Sequence, residues 1–148
     1  MLATRSTHPQ GGFSLIELLI VVALLGIISA IAVPYLLAAQ QASRAASAVA
    51  SLRLIHSSEI SYRATNDTYG AMDDLSRTGH INDPNLKVGR KNLYDFAVAV
   101  GADPARNYTA TAVPVFMPES YHHYFIDESG VLRFNVGAAA TVASTPVD

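Results

Sequence analysis

One apolar run constrains this chain more than any other feature of its sequence. Residues 18–43 carry no charged side chain. A helix of 22 residues, such as residues 18–39, is roughly 33 Å long at about 1.5 Å per residue, which is enough to cross the hydrocarbon core of a bilayer. Glu17 stands immediately before this run. A carboxylate so close to hydrocarbon is costly and therefore requires an explanation.

Two ordinary interpretations of the run leave Glu17 unexplained. One is a plain single-pass membrane anchor. The other is a secretory signal peptide, for which Ala30-Ile31-Ala32 supplies the small-x-small cleavage pattern. Both interpretations also expect a more basic N-terminus than one with Arg5 as its single basic side chain before the run.

The residues around Glu17 form a motif that accounts for it. The segment Gly12-Phe13-Ser14-Leu15-Ile16-Glu17, followed by about 20 apolar residues, resembles the class III signal of type IV prepilins and pseudopilins. The resemblance implies that a prepilin peptidase cleaves after Gly12, removes residues 1–12 as a leader and methylates the new amine of Phe13. Gln10 and Gly11 stand where many relatives carry a basic residue beside the cleaved glycine.

The resemblance also gives Glu17 a role in assembly. In a helical filament it implies that the Glu17 carboxylate pairs with the Phe13 amine of a neighbouring subunit, which fixes the stagger of packed helices. The spacing of four residues also lets Glu17 approach the amine of its own chain, and the sequence does not choose between the two partners. Gly26 and Pro34 are predicted sites of a kink, or of helix melting on assembly.

Beyond Pro34 the helical pattern becomes amphipathic. Ala45, Val49, Leu52, Ile55 and Tyr62 fall on one face at 100° per residue. We therefore expect one long helix over residues 13–63, of which residues 13–40 are the hydrophobic membrane or fibre-core segment, and a globular head of residues 64–148.

The C-terminal half shows strand patterns. Residues 71–92 have no strong period and are expected to form a loop with one helical turn over residues 73–77. Four strands are predicted over residues 94–100, 108–113, 121–126 and 131–136, the last two joined by a hairpin loop at Asp127-Glu128-Ser129-Gly130. The tail after residue 136 is expected to be exposed. The predicted fold class is α+β, with a long N-terminal helix packed against a small antiparallel sheet, as in pilins.

Composition argues against several kinds of chemistry. The chain has no cysteine, so neither disulfides nor thiol ligands are available, and 10 basic against 12 acidic residues do not favour nucleic acid as a partner. There is no nucleophile motif, phosphate loop or nucleotide fingerprint. We therefore expect no cofactor, no metal and no enzymatic activity.

The candidate metal ligands in the sequence are weak. His122 and His123 are adjacent on a predicted strand and so point to opposite faces. Asp127 and Glu128 lack the alternating oxygen ligands of a calcium loop. His56 and Glu59 lie three residues apart on the predicted helix, and without a third ligand we expect both to face solvent.

The sequence therefore predicts a structural subunit of a type IV pilus-like filament, a homo-oligomer that polymerises through its apolar helix. The precursor is expected in the inner membrane, in contact with the bilayer, the prepilin peptidase and the assembly machinery, and the assembled filament at the cell surface. The alternatives are a pseudopilin of a type II secretion system and a single-pass anchored binding or enzymatic domain that never polymerises. The sequence leaves open whether the filament serves adhesion, motility, DNA uptake or electron transfer.

Overall fold

A computed structural model describes residues 12–147 of the chain. Helix α1 runs from Leu15–Asn66 without interruption, with the acidic Glu17 in its first turn and the basic Arg63 in its last turn, as the helix dipole favours. The chain divides into two compact units after Gln40. We call residues 13–40 the apolar segment and the unit that begins at Gln41 the C-terminal unit. The predicted leader, apart from Gly12, lies outside the described residues.

The remaining elements all belong to the C-terminal unit. Two short helices and a first two-residue strand follow α1: α2 (Met72–Arg77), α3 (Pro84–Lys87) and β1 (Arg90–Lys91). Five further strands follow: β2 (Tyr94–Val100), β3 (Tyr108–Pro114), β4 (His122–Asp127), β5 (Arg133–Val136) and β6 (Thr145–Pro146). A 3₁₀ turn over Pro118–Ser120 connects β3 to β4. The α+β fold class predicted from the sequence is confirmed.

The strands form one antiparallel sheet in which each strand pairs with the next one in sequence. Its register aligns Phe96, Ala112, Tyr124 and Phe134 in a row across four strands. The small Ala112 between the rings of Phe96 and Tyr124 lets large and small side chains alternate, which fills the face of the sheet that packs in the core. The alternation of buried and less buried residues in β3 is the period of two expected of a half-buried strand.

The core joins α1 to the sheet and to the segment between them. Leu52 and Ile55 of α1 are completely buried, and so is Tyr108 of β3. The predicted apolar face of the helix is therefore the packed face, with Ala45, Val49 and Tyr62 partly buried along the same side. The intervening segment contributes three fully buried side chains, Leu75, Ile81 and Leu86.

Part of the segment predicted as loop is helical. Asp83 caps α3 by accepting hydrogen bonds from the backbone N–H groups of Asn85 and Leu86, and Pro84 occupies the first turn, where its missing N–H costs nothing. The Asp83 carboxylate also accepts a hydrogen bond of 2.6 Å from Lys91 Nζ. This bond and the cap hold the pKa of Asp83 below its ordinary value. The helical turn predicted near residues 73–77 is confirmed as α2.

The β4–β5 hairpin is confirmed, and its loop has the predicted chemistry. The Asp127 carboxylate accepts hydrogen bonds from the backbone N–H and from the hydroxyl of Ser129. Gly130 has a φ of +74°, a left-handed conformation that glycine adopts at little cost.

The C-terminal tail is mostly exposed, as expected, but it also makes ordered contacts that the sequence did not predict. Thr145–Pro146 pairs with β5 as an edge strand, Ala140 is buried, and Val147 packs against the core. The N–H of Val147 also donates to the carbonyl of Leu132 over 2.8 Å. Small side chains do not prevent this packing, because the strand needs few large groups where the core is already formed by its neighbours.

Candidate assembly segment

At the N-terminus of α1, the side chain of Glu17 hydrogen-bonds to the backbone just before the first helical turn. The Glu17 Oε2 atom accepts a hydrogen bond of 2.9 Å from the N–H of Ser14, and the N–H of Leu18 donates to the carbonyl of Ser14. Ser14 thus occupies the N-cap position, and Glu17 stands three residues later, as in a capping box. The Glu17 carboxylate therefore lies within hydrogen-bonding distance of the residue that follows Phe13.

The apolar segment is exposed on every side. All residues from Gly12 to Gln40 are exposed, including Phe13 at 78% and Leu15 at 81%. A helix that is apolar all round requires an apolar environment, either lipid or other protein. By length and composition, α1 is the one helix among residues 12–147 that is able to cross a membrane.

Helix α1 continues through both predicted sites of distortion. Gly26 and Pro34 lie inside it, and a β-carbon added at Gly26 meets no atom within 4 Å. Gly26 is therefore open to close approach by another helix. Gly12 and Phe13 lie just before α1 and Glu17 lies in its first turn, whereas Gly26 and Pro34 lie two and more turns further along the helix. The roles predicted for these five residues stay predictions.

Sequence reasoning missed an ionisable site in the C-terminal unit. Glu59 of α1 is completely buried, and the expectation that it faces solvent is wrong. Its Oε2 accepts a hydrogen bond of 3.0 Å from the N–H of Gly70, whereas no described residue makes a hydrogen bond to its Oε1. Burial raises the pKa of Glu59 to about 7 against the lowering effect of the Gly70 bond, and the negative charge of Asp74 raises it further.

A tyrosine and a histidine lie close to this carboxyl group. The Tyr108 hydroxyl and His56 Nδ1 form a hydrogen bond of 2.5 Å, so His56 is also tied to the sheet rather than free in solvent as expected. Burial raises the pKa of Tyr108 above its ordinary value, and the charge of Glu59 adds to this effect. A sequence signal did exist, since Glu59 continues the spacing of three and four residues set by Leu52, Ile55 and Tyr62.

The two adjacent histidines have separate environments. His122 packs against the rings of Tyr124 and Phe134, while the buried His123 hydrogen-bonds through Nε2 to the carbonyl of Pro118 over 2.9 Å. Within residues 12–147, no three His, Asp or Glu side chains are grouped so as to hold a metal ion.

Two comparisons with known proteins bear on this chain. Residues 7–33 match the family described as the prokaryotic N-terminal methylation motif. Over 115 residues, which are 78% of this chain and 49% of the relative, the chain is 30% identical to the type IV major pilin protein PilA of Myxococcus xanthus (strain DK1622). The chain therefore spans about half the length of the curated relative that it matches.

A long apolar N-terminal helix that leads into a small antiparallel sheet defines a pilin-like α+β protein with a candidate transmembrane helix. The methylation motif and the similarity to a type IV major pilin support the type IV pilin family for this chain. Both comparisons agree with the family resemblance stated from the Gly12–Glu17 motif.

Proposed function

We propose that this chain is the structural subunit of a type IV pilus-like filament. The precursor resides in the inner membrane through the apolar segment, the prepilin peptidase cleaves it after Gly12 and methylates Phe13, and the assembly machinery polymerises it into a surface filament. The observation that carries this proposal is an apolar segment exposed on every side, with Glu17 at the start of its helix.

Assembly would satisfy both features of this segment. Packing many copies of the helix side by side buries an apolar surface that lies outside the core of the C-terminal unit, and head-to-tail contacts of this kind generate open filaments. Cleavage would expose an amine on Phe13, the residue immediately before Ser14, whose N–H already donates to Glu17. A neighbouring subunit that supplies this amine would replace a backbone donor with a charged one.

The test is mass spectrometry of the N-terminus of the protein isolated from its host, combined with electron microscopy of the cell surface. We expect a chain that begins at a methylated Phe13, together with surface filaments that contain it. The matched control is Gly12→Val, which should leave the full-length precursor in the membrane because the resemblance places the cleaved bond after a glycine. A wild-type chain that starts at Val33, or that retains Met1, would refute the proposal.

A further inference from the structure

Four exposed apolar side chains lie at the end of the sheet where β2 begins and β3 ends. Leu93 is 44% exposed, Val115 43%, Phe116 59% and Met117 51%. We call these four residues the apolar rim. The N–H of Val115 donates to the carbonyl of Leu93 over 2.9 Å, which joins the β1–β2 turn to the segment that follows β3. The rim therefore combines two separate parts of the chain that meet at this end of the sheet.

Two residues of the rim adopt backbone conformations that apolar side chains rarely occupy. Leu93 has a φ of +63° and Met117 a φ of +47°, both in the left-handed region. Asn92 and Leu93 form the two-residue turn between β1 and β2, where Asn-Gly is the favoured sequence. Strained conformations of this kind are held in place by the surrounding structure, and they cluster at functional sites. Here a leucine and a methionine are retained at exposed positions where glycine would relieve the strain.

The position of the rim suggests what covers it. Leu93 and Phe116 line a shallow groove with Gln41 and Arg44 of α1 and with Tyr121. Arg44 is the first charged residue after the uncharged run of residues 18–43. Leu93 and Phe116 of the rim thus lie beside the helical turn at which a membrane-spanning α1 would emerge into the headgroup region, where aromatic rings and basic side chains are enriched.

We propose that the apolar rim inserts into the headgroup region of the bilayer while the subunit is held in the membrane. This proposal rests on the proposed function only in requiring the apolar segment to span the membrane. Polymerisation would then have to extract both the rim and the apolar segment from lipid. The partner of the rim is therefore a lipid surface. Beside the rim, Arg90 forms a salt bridge with Asp95, and Lys91 forms one with Asp83. Because these charges are paired, we expect apolar contact rather than charge to supply the main attraction.

The chain contains no tryptophan, so a single one introduced at the rim is a specific fluorescent probe. The full-length chain with Phe116→Trp would be placed in nanodiscs of phosphatidylethanolamine and phosphatidylglycerol, one chain per disc, with and without lipids brominated near the carbonyl. The control is Val142→Trp. Val142 is 63% exposed and lies beside Asn107, Thr109 and Glu128, at the opposite end of β3.

We expect bromination to quench the tryptophan at position 116 severalfold and to leave the one at position 142 unchanged. Adding Leu93→Gly and Met117→Gly should reduce the quenching while the thermal midpoint of the C-terminal unit stays level or rises, because strain is relieved. Equal quenching at positions 116 and 142, or quenching that survives both glycine substitutions, would overturn the proposal. Discs loaded with two or more chains test for a second copy. A blue shift of the tryptophan emission that grows with the number of chains per disc and does not depend on bromination would also overturn the proposal. The nanodisc experiment uses the uncleaved chain, so a failure to form filaments would refute the proposed function without changing this result.

Discussion

Glu17 combines two tasks that the sequence alone does not separate. It caps α1 through the N–H of Ser14, and it is the predicted partner of a Phe13 amine. A capping interaction needs a hydrogen-bond acceptor, whereas an ion pair needs a charge. Substitutions that keep one property and remove the other therefore distinguish the two tasks.

Glu17→Gln should abolish filaments while leaving cleavage intact. Glutamine retains an acceptor for the Ser14 N–H, but the Phe13 amine would enter the helix bundle without a counter-charge, which costs about 3 to 5 kcal/mol for an unpaired buried charge. Electron microscopy and immunoblotting in a strain that lacks the wild-type subunit should show processed, membrane-held protein without filaments. If Glu17→Gln assembles normally and Glu17→Ala does not, Glu17 acts as a cap and not as an ion-pair partner.

Glu59 makes the stability of the C-terminal unit depend on pH. Its pKa is raised from 4.5 to about 7 in the folded chain, so its favourable contribution is fully present below pH 4.5 and is lost as the pH rises through about 7. The difference between the two pKa values corresponds to a decrease of up to about 3 kcal/mol in the free energy of unfolding.

The substitution Glu59→Gln should remove this dependence. The neutral amide keeps an acceptor for the Gly70 N–H and cannot ionise, so the variant should exceed the wild type in thermal midpoint above pH 7. The measurement is thermal unfolding of the full chain in detergent, followed by near-ultraviolet circular dichroism of its tyrosines across this pH range. Glu119→Gln, at an exposed position, is the control and should leave the pH profile unchanged. A Glu59→Gln profile parallel to that of the wild type would contradict the prediction.

The burial of Glu59 shows why the sequence predicted the N-terminal motif but not the buried carboxyl group of the C-terminal unit. The motif from Gly12 to Glu17 is local, so sequence spacing alone was sufficient to find it. The segment that follows α1 turns back to the helix, so that the N–H of Gly70 reaches the buried Glu59, and no local periodicity reports that contact. Its position in the apolar stripe was the available signal, but the charge of the side chain favoured solvent.

At the scale of elements, long and strongly patterned segments were predictable and short ones were not. Helix α1 and strands β2 to β5 each extend over four or more residues, long enough for their composition or spacing to indicate an element. Strands β1 and β6 have two residues each, too few for any period, and exist because a neighbouring strand supplies their hydrogen bonds. Helix α3 had an Asp-Pro capping signature that also fits a turn.

Strand β6 and its neighbour Val147 should contribute measurably to stability. Val147→Asp places a charge against the core and should lower the free energy of unfolding by about 1 to 3 kcal/mol. Val142→Asp introduces the same charge at an exposed position of the same tail and should change it by less than about 0.5 kcal/mol. Thermal denaturation of both variants measures the difference. Equal midpoints would show that the tail does not pack as described.

At the scale of the whole molecule, the two units differ in whether they bury their own apolar side chains. The C-terminal unit has its own core, from Ala48 of α1 to Leu132 before β5, whereas every residue of the apolar segment is exposed. A unit with a core of its own is expected to fold without the remainder of the chain.

A fragment of residues 41–148 should therefore be a folded monomer in water. We expect a cooperative thermal transition and a monomeric mass by sedimentation or light scattering, because the fully apolar surface has been removed. The full chain in the same buffer without detergent is the control and should aggregate. Filaments formed by the fragment alone would show that the apolar segment is not what drives assembly.

The two edges of the sheet have a further consequence if, as proposed, the subunit accumulates in a membrane before assembly. A long open strand edge recruits copies of itself and leads to amyloid-like growth. Here both edge strands are only two residues long, and Pro146 in β6 has no N–H to offer an incoming strand. Association through the β6 edge is thereby discouraged, which would keep the subunits of the proposed filament available for the ordered contacts of their helices.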